Sequence, residues 1–459
     1  MLTSLQIKNF KAWRDTGRVE LAPLTLLFGT NSSGKSSLHQ FLLMLRQTAE
    51  SPDRRRVLHT GDSTTPVDLG GYSDLVTHRD VKRGLEFALE WSRPSALQIQ
   101  DLKTGARIQG TSLRFDARIG AAGSSPPKPQ VESYEYRLTG ADGTQLRLGS
   151  HRDEAGNYQV TAEGVSPVRT LGRKWPISPP SHFHGFPDDL RTRFQNLDFA
   201  ADLTLALDEQ LNALSYLGPL REKPGRLYRW SGEEPGHVGW RGERTVEALL
   251  SGSGRRFNAA PKRKLRPLEE VVAAWLKQLG LIDSFSVNAI GAGRDEYEVR
   301  VRALGGIQRV LLPDVGFGVS QVLPVIVECF YSQPNSTVIM EQPEIHLHPA
   351  AQANLADLFI EAISMRENGY PRKVQLIVES HSEHLLRRLL RRVAEGTLDP
   401  ELVRCYVVSS PRMGSRIEPL EVDGLGNVHN WPADFFGDPT ADIVAQSRSA
   451  RERRRAAAE

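Results

Sequence analysis

The sequence has few cysteines, little net charge and no long apolar run. Only two of its 459 residues are cysteines, Cys329 and Cys405, which cannot build a disulfide framework, so a reducing cytosol is the expected compartment. A formal net charge of +3 does not by itself predict a nucleic-acid partner. No apolar run approaches the roughly 18 residues of a membrane span, and the first residues lack the basic and apolar parts of a signal peptide. These absences predict a cytoplasmic globular protein without a membrane partner.

Periodicity divides the chain into regions, none of which contains an internal repeat or the sustained heptads of a long coiled-coil arm. Residues 84–162 alternate apolar and polar side chains, which predicts an antiparallel meander. Residues 188–214 and 268–279 have helical spacing. From residue 310 onward, strand-like and helix-like segments alternate, which is typical of an α/β protein.

The most informative stretch is a Gly-x-x-x-x-Gly-Lys-Ser pattern near the N-terminus, which is typical of a phosphate-binding loop. Its glycines let the backbone approach an anion, and successive N–H groups can form a concave nest around phosphate oxygens. The lysine would neutralise β/γ-phosphate charge, and the serine would offer its hydroxyl to Mg2+. The loop and the residue after it, all predicted to contact ATP, are Gly29, Thr30, Asn31, Ser32, Ser33, Gly34, Lys35, Ser36 and Ser37.

The flanks of this loop match the motif. Residues 24–28 are apolar and predict a short buried strand. Residues 38–46 place leucines and a phenylalanine on one helical face, so the phosphate would meet the N-terminus of a helix. A strand before and a helix after the loop favour a nucleotide site over a chance glycine-rich turn.

A phosphate loop also needs an acid on a neighbouring strand to position the metal. Residues 336–341 form a short apolar strand that ends in Glu341 and continues as Gln342-Pro343-Glu344. A second buried strand, residues 374–378, is followed by Glu379-Ser380-His381. A glycine-containing turn at residues 314–321 precedes both and opens a helix.

Together these segments resemble the ABC-type ATPases of the SMC, RecF and OLD group, and more closely a bacterial family of stand-alone ATPases with no assigned function. The matching segments run in family order over nearly the whole chain. They are residues 5–10, 29–36, 68–70, 216–219, 316–321, 341–344, 380–382 and 430–432, with Phe435 and Phe436.

The resemblance implies roles for individual residues. Glu341 falls where the metal-positioning acid lies, and with Ser36 it would hold Mg2+. His381 falls at the switch histidine, which contacts the γ-phosphate. Gly316, Gly318 and Ser320 fall at the signature motif, which covers the nucleotide bound to the other subunit of a head-to-tail dimer. The resemblance therefore implies an ATP-sandwiched homodimer with ATP and Mg2+ as its cofactors.

The sequence departs from the family pattern at two places. Gln342 occupies the position of the usual catalytic glutamate, and a neutral amide orients water but accepts a proton poorly. Hydrolysis is therefore expected to be slow, or Glu344 or His381 acts as the base; Glu344 is equally typical of a turn or helix-start residue. In the signature motif, Gly316-Phe317-Gly318 replaces the usual Ser-Gly-Gly, with Ser320 two residues later.

Three further patterns each have a structural and a functional interpretation. His346 and His348 beside Glu344 could bind a metal, but no other ligand pattern accompanies them, which favours packing and turn hydrogen bonds. An arginine-rich helix is either a solvated face or a contact to a nucleic-acid backbone. Two basic segments could add to that surface. These arginines are Arg387, Arg388, Arg391 and Arg392, and the basic segments are residues 262–266 and 451–455.

The predicted fold is α/β, a P-loop core of the ABC ATPase type with a mixed sheet and flanking helices. Residues 1–80 and 300–440 are predicted to form the ATPase lobe, residues 81–299 an inserted β-rich and helical subdomain, and residues 441–459 a basic tail. OLD nucleases carry a nuclease domain after the switch histidine, but residues 382–459 show no obvious acidic metal cluster, so no nuclease is predicted.

Two functions remain open. One is a slowly hydrolysing ATPase in DNA-linked genome defence or repair, and the other is an ATP switch that gates a separate effector protein.

Overall fold

The computed structural model describes residues 1–101, 105, 107–123, 126–172, 175–291, 293–411, 414–432 and 439–456. Phe435 and Phe436, which contribute to the family resemblance, lie outside the described residues. Within the described ranges, no helix is long and apolar enough to cross a membrane.

The strands of the described chain belong to four sheets. They are β1 (Leu2–Phe10), β2 (Trp13–Asp15), β3 (Val19–Glu20), β4 (Leu24–Gly29), β5 (Leu85–Gln100), β6 (Arg107–Ala122), β7 (Lys128–Thr139), β8 (Gln145–Arg152), β9 (Tyr158–Glu163), β10 (Leu214–Leu217), β11 (Tyr228–Arg229), β12 (Arg256–Asn258), β13 (Arg266–Pro267), β14 (Ile282–Ala289), β15 (Glu296–Ala303), β16 (Val310–Leu311), β17 (Thr337–Glu341), β18 (Arg366–Glu367), β19 (Tyr370–Pro371), β20 (Gln375–Glu379), β21 (Val403–Ser409) and β22 (Arg416–Pro419).

The helices alternate with strands mainly in the last third of the chain. They are α1 (Lys35–Ala49), α2 (Tyr72–Leu75), α3 (Leu190–Arg193), α4 (Ala200–Asn212), α5 (Thr245–Ser251), α6 (Leu268–Gln278), α7 (Phe317–Tyr331), α8 (Pro349–Ser364), α9 (Glu383–Ala394) and α10 (Pro439–Ala456).

A six-stranded sheet supports the phosphate loop, with the strand order β10-β17-β20-β4-β21-β22. Its first five strands are parallel and β22 is antiparallel. Alternate residues of β17 face two cores. Ile339 packs on the side of α1 and α4, while Val338 and Met340 pack on the side of α6, α7, α8 and α9. Burial on both faces explains why these strands are continuous apolar runs.

The second large sheet is the predicted antiparallel meander. Strands β5 to β9 pair with their sequence neighbours, and β1 pairs with β5. Helix α1 lies against this antiparallel sheet and also against the six-stranded sheet. The Phe41 ring is 5.2 Å from Phe10 and 5.0 Å from Phe87, measured between ring centroids in edge-on geometry. The helix that follows the phosphate loop is therefore fixed between two sheets.

The sheets divide the chain differently from the predicted boundaries at residues 81 and 299. Strand β1 lies in the same sheet as β5 to β9. Strand β10, from the middle of the predicted insertion, forms an edge of the six-stranded sheet. The predicted helix at residues 188–214 is also interrupted, because Phe194 has extended backbone angles between α3 and α4. Strand partners separated by 75 or more residues leave no mark in local periodicity, so the sequence does not reveal these pairings.

Candidate functional site

The phosphate loop joins β4 to α1, as predicted, and its two glycines have positive φ angles. Gly29 has φ +150° and Gly34 has φ +104°. A Cβ at Gly29 would lie 2.2 Å from the Val408 carbonyl oxygen, and one at Gly34 would lie 2.7 Å from Ser415 Oγ. Both positions therefore require glycine for their backbone conformation and for the space around them.

The Lys35 ammonium group is turned into the loop. Nζ donates hydrogen bonds to the carbonyl oxygens of Gly29 (3.0 Å) and Thr30 (2.8 Å) and lies 3.9 Å from Glu379 Oε1. Desolvation lowers the Lys35 pKa, and the charge of Glu379 partly opposes this shift. Two carbonyl oxygens and one carboxylate thus stabilise the ammonium group inside the loop.

Two acids end the neighbouring parallel strands β17 and β20. Glu341 and Glu379 are paired in the strand register, so their carboxylates reach the same edge of the sheet. Ser36 Oγ donates to Glu379 Oε2 at 2.9 Å, and Tyr216 Oη donates to Glu341 Oε1 at 3.2 Å. Burial raises the pKa of Glu379. One hydroxyl and two carboxylates are the oxygen donors that Mg2+ prefers, so this residue set fits the predicted metal.

A cleft of about 370 Å³ opens above the loop. Gln342 lines it in a left-handed backbone conformation, φ +46°, and its N–H donates to the Glu379 carbonyl at 2.9 Å. His381 also lines it, half-buried, with a pKa lowered first by desolvation and then by the Lys35 charge. The lining residues are Lys11, Ala12, Asn31, Ser32, Ser33, Gly34, Lys35, Ser36, Ser37, Gln40, Gln342, Glu379 and His381.

Glu344 is not among the residues that line the cleft. Its Oε1 accepts the His381 N–H at 2.7 Å, and burial raises its pKa. The side chain is buried on the protein side of the turn that carries His381. In this geometry Glu344 contacts the backbone of His381 and does not line the cleft, and its role as the base stays a prediction.

The signature-motif residues lie outside the cleft of their own chain. Gly316 precedes the first turn of α7, and the Gly318 Cβ position faces the His346 carbonyl at 3.4 Å. Ser320 is buried, and its Oγ donates to the Phe317 carbonyl oxygen at 2.8 Å. Its hydroxyl is therefore engaged within its own helix rather than presented to a phosphate.

The histidines beside Glu344 make packing and turn contacts. The His348 Nδ1 accepts the Ala350 N–H at the start of α8, and the His346 ring packs edge-on against Phe317, with 4.9 Å between centroids. These contacts support the packing interpretation for this pair.

The arginines of α9 are all paired with carboxylates. Asp357 on α8 binds Arg388 and Arg392, both at 2.6 Å, while Arg387 pairs with Glu383 and Arg391 with Glu395. The two pairs to Asp357 join α9 to α8, and the other two lie along α9 itself. Three carboxylates therefore compensate most of the charge of the four arginines, which favours the structural interpretation.

Sequence reasoning missed four residues around Glu341, namely His39, Tyr216, Arg221 and Glu379. His39 Nδ1 lies 3.5 Å from Glu341 Oε1 and 3.8 Å from Glu379 Oε2, and Arg221 donates to the Glu341 carbonyl oxygen. Tyr216 and Arg221 lie in or beside a segment noted only for its family resemblance. His39 had a detectable signal, because it lies three residues after Ser36 and so shares its helical face. Glu379 ends an apolar strand, as Glu341 does, and the same argument would have found it.

Two family models match the chain. The model described as "AAA ATPase domain" matches residues 1–83, and the model described as "AAA domain, putative AbiEii toxin, Type IV TA system" matches residues 251–387. The first segment contains the phosphate loop. The second contains the signature turn, both strand-end acids and His381.

Solved structures add distant similarities, and no curated protein matches the chain. The SMC head domain from Thermotoga maritima is 12% identical with a TM-score of 0.38, and the match covers 92% of this chain and 99% of that one. An SMC head bound to the C-winged helix domain of ScpA is 11% identical with a TM-score of 0.41, covering 92% and 98%. Similarities at this level carry no argument about what this chain does.

The family matches fall on the two segments that build the cleft, and the intervening residues contribute the antiparallel sheet and the edge strand β10. The phosphate loop and His381 line one cleft, and Glu341 and Glu379 end the two neighbouring strands β17 and β20. The chain therefore contains two segments, residues 1–83 and 251–387, that match ATPase domain models, and together these segments build one P-loop cleft.

Proposed function

We propose that the chain binds Mg-ATP in this cleft and hydrolyses it slowly as an ATP-sandwiched, head-to-tail homodimer. The observation that carries the proposal is the convergence of Lys35, Ser36, Gln342, Glu379 and His381 on one cleft from three separate segments. The glycine-enforced loop geometry supports phosphate binding, because backbone N–H groups at the start of a helix attract phosphate.

The residues of the cleft divide the work of binding. Lys35 would turn from the Gly29 and Thr30 carbonyls toward the β/γ-phosphates. Ser36, Glu341 and Glu379 would hold Mg2+, which supplies charge neutralisation at the transferring phosphoryl group. His381, held through its N–H by Glu344, would donate a hydrogen bond at the γ-phosphate position.

Slow hydrolysis follows from Gln342. Its backbone is fixed by a hydrogen bond to β20, so its amide can orient a water molecule over the cleft. An amide does not accept the proton of that water, and Glu344 lies behind the His381 turn. The proton therefore has no strong acceptor at the position where ABC-type ATPases use a glutamate.

A dimer would complete the cleft. Gly316, Gly318 and Ser320 lie at the start of α7, outside the cleft of their own chain, with Phe317 half-exposed beside them. In a head-to-tail dimer, the first backbone N–H groups of α7 would face the nucleotide of the partner subunit, because a helix N-terminus attracts phosphate. Ser320 would contribute through its position in the helix rather than through its hydroxyl.

The cellular role that we propose is DNA-linked genome defence or repair in the cytoplasm. The description of the C-terminal family model, with its toxin and TA system, supports defence. The exposed side chains of Lys262, Arg263 and Lys264 offer a basic surface. The paired arginines of α9 weaken a nucleic-acid contact at that helix. The alternative is a switch that holds ATP and gates a separate effector protein, and Gln342 is the observation that favours it.

Phosphate release from Mg-ATP by purified wild type and Lys35→Ala, with and without double-stranded DNA, tests these proposals. We expect slow, Mg2+-dependent turnover in wild type and its loss in Lys35→Ala. Equal turnover in both proteins would contradict the ATPase proposal. Stimulation by DNA would support the DNA-linked role, whereas retention of intact ATP without turnover would support the switch.

A further inference from the structure

Beneath the phosphate loop, three potential metal ligands lie together. The ligand atoms of His39, Glu341 and Glu379 all lie within 4.8 Å of one another, and all three residues are buried. The His39 Nδ1 is 3.5 Å from Glu341 Oε1 and 3.8 Å from Glu379 Oε2. Two ligands that are each about 2.1 Å from a shared ion lie about 3 to 3.5 Å apart, so a bound cation requires only small side-chain shifts.

The His39 ring supplies an independent sign of a ligand. It is 0% exposed, and within the described part of the chain neither of its nitrogens has a hydrogen-bond partner. A buried polar nitrogen without a partner costs about 1 to 3 kcal/mol, so such groups usually bind something. Nδ1 is turned toward the two carboxylates at a separation beyond hydrogen-bonding distance.

The charges around the cluster also favour a cation. Glu341, Glu344 and Glu379 contribute three buried carboxyl groups, while Lys35 and Arg221 supply two positive charges from the surrounding elements. The Ser36 hydroxyl, which donates to Glu379, provides a further oxygen at the edge of the cluster. A divalent ion would compensate the excess negative charge and give His39 a partner.

We propose that His39, Glu341 and Glu379 form a divalent-cation site that is filled before any nucleotide binds. The imidazole sets the class of ion. Mg2+ prefers oxygen ligands alone, whereas Mn2+, Fe2+ and Zn2+ accept a mixture of imidazole and carboxylate. Without nucleotide the site therefore takes a transition-metal ion. This inference rests on the proposed function, in which the phosphate oxygens of Mg-ATP add the oxygen ligands that let Mg2+ use the same two carboxylates.

The test uses the full chain, treated with EDTA and free of nucleotide, with Mn2+ as the probe. Electron paramagnetic resonance is expected to show one Mn2+ bound per chain, with a nitrogen coupling from the imidazole, and Mg2+ is expected to compete poorly. His39→Gln should remove the nitrogen coupling and weaken Mn2+ binding about 100-fold, because even loss of an outer-shell partner costs about 10- to 100-fold.

Three further variants make the test specific. His59→Gln is the matched control, because His59 accepts the Gly61 N–H outside this cluster, and it should retain both signals. Glu379→Gln should weaken Mn2+ binding yet leave the nitrogen coupling of the bound ion, which covers the case in which His39→Gln does not fold. Lys35→Ala should weaken ATP binding but keep Mn2+, so this proposal and the ATPase proposal can fail separately. Absence of Mn2+ binding without ATP, or nitrogen coupling that persists in His39→Gln, would overturn the inference.

Discussion

Gln342 directly follows β17, at the position that the family resemblance assigns to a catalytic glutamate. It has φ +46°, a conformation that costs a non-glycine residue about 1 to 2 kcal/mol, and a hydrogen bond to the Glu379 carbonyl maintains it. This bond ties together the turns that follow the two acid-bearing strands. The backbone of the residue after Glu341 is therefore held in place, while its side chain, a neutral amide, lacks basicity.

The first prediction concerns this residue. Gln342→Glu should raise kcat for ATP hydrolysis by roughly 10- to 100-fold, because a positioned general base contributes about 100- to 10,000-fold. Steady-state phosphate release under saturating Mg-ATP measures the change. Gln342→Ala is the control, since it removes the amide without supplying a base and should not be accelerated. A Gln342→Glu protein no faster than wild type would show that proton acceptance does not limit turnover.

Glu344 gives a second prediction at the same scale. Glu344→Gln should keep most of the activity, because a glutamine oxygen can still accept the His381 N–H. Glu344→Ala should leave that N–H unpaired, at a cost of about 1 to 3 kcal/mol, and lower both thermal stability and turnover. Calorimetry and phosphate release on the two variants separate these effects. An inactive but fully stable Glu344→Gln protein would instead identify Glu344 as the base.

Helix α7 buries a carboxyl group in the core behind the six-stranded sheet. Glu328 is 0% exposed, and its Oε2 accepts the Val238 N–H at 2.9 Å. Desolvation raises the Glu328 pKa above its ordinary value. The folded state therefore holds the proton to higher pH than the unfolded state does, so this group lowers stability as pH rises between the two pKa values.

The third prediction follows from the raised pKa of Glu328. Glu328→Gln keeps an acceptor for Val238 and removes the titration, so its stability relative to wild type should increase as pH rises from 4 to 8. Below the unfolded pKa, near 4.3, the difference should be smallest. Denaturant unfolding at several pH values provides the measurement, with the exposed Glu270→Gln as control. A stability difference that is constant with pH would contradict the buried-charge account.

Most elements that position the cleft could be predicted from local pattern. The loop, α1, α6, β17 and β20 occur where periodicity and the Gly-Lys-Ser motif place them, because each depends on residues close in sequence. The predicted helix before β10 was divided, since the extended residue Phe194 separates α3 from α4. Helical spacing alone does not detect such an interruption.

At the scale of the whole molecule, long-range pairing determined what the sequence did not reveal. Strand β1 pairs with β5, and β10 pairs with β17, across 75 or more residues. The β10–β17 pairing brings Tyr216 and Arg221 to Glu341, and α1 brings His39 to both acids. The loop residues of the site could therefore be predicted, and the helical face of Ser36 pointed to His39, while Tyr216 and Arg221 could not be predicted.

The fourth prediction concerns assembly. Multi-angle light scattering should detect a monomer without nucleotide and a dimer with Mg-ATP, because the start of α7 would cover the partner's nucleotide. Gly318→Trp should abolish this shift without changing ATP binding to the single chain, since Gly318 lies outside the cleft. Gly236→Trp, at an exposed position where an added Cβ meets no atom within 4 Å, is the control. A protein that remains monomeric with saturating Mg-ATP would refute the sandwich arrangement.

Direct binding of Mg-ATP tests the central claim most simply. Isothermal titration of wild type should show one ATP per chain, and Lys35→Ala should weaken binding by roughly 10- to 100-fold, the equivalent of one lost charge-assisted hydrogen bond. Ser4→Ala, remote from the loop, should bind as wild type does. A wild-type chain that binds no ATP, or a Lys35→Ala chain that binds it equally well, would contradict the assignment of residues 29–37 as the nucleotide site.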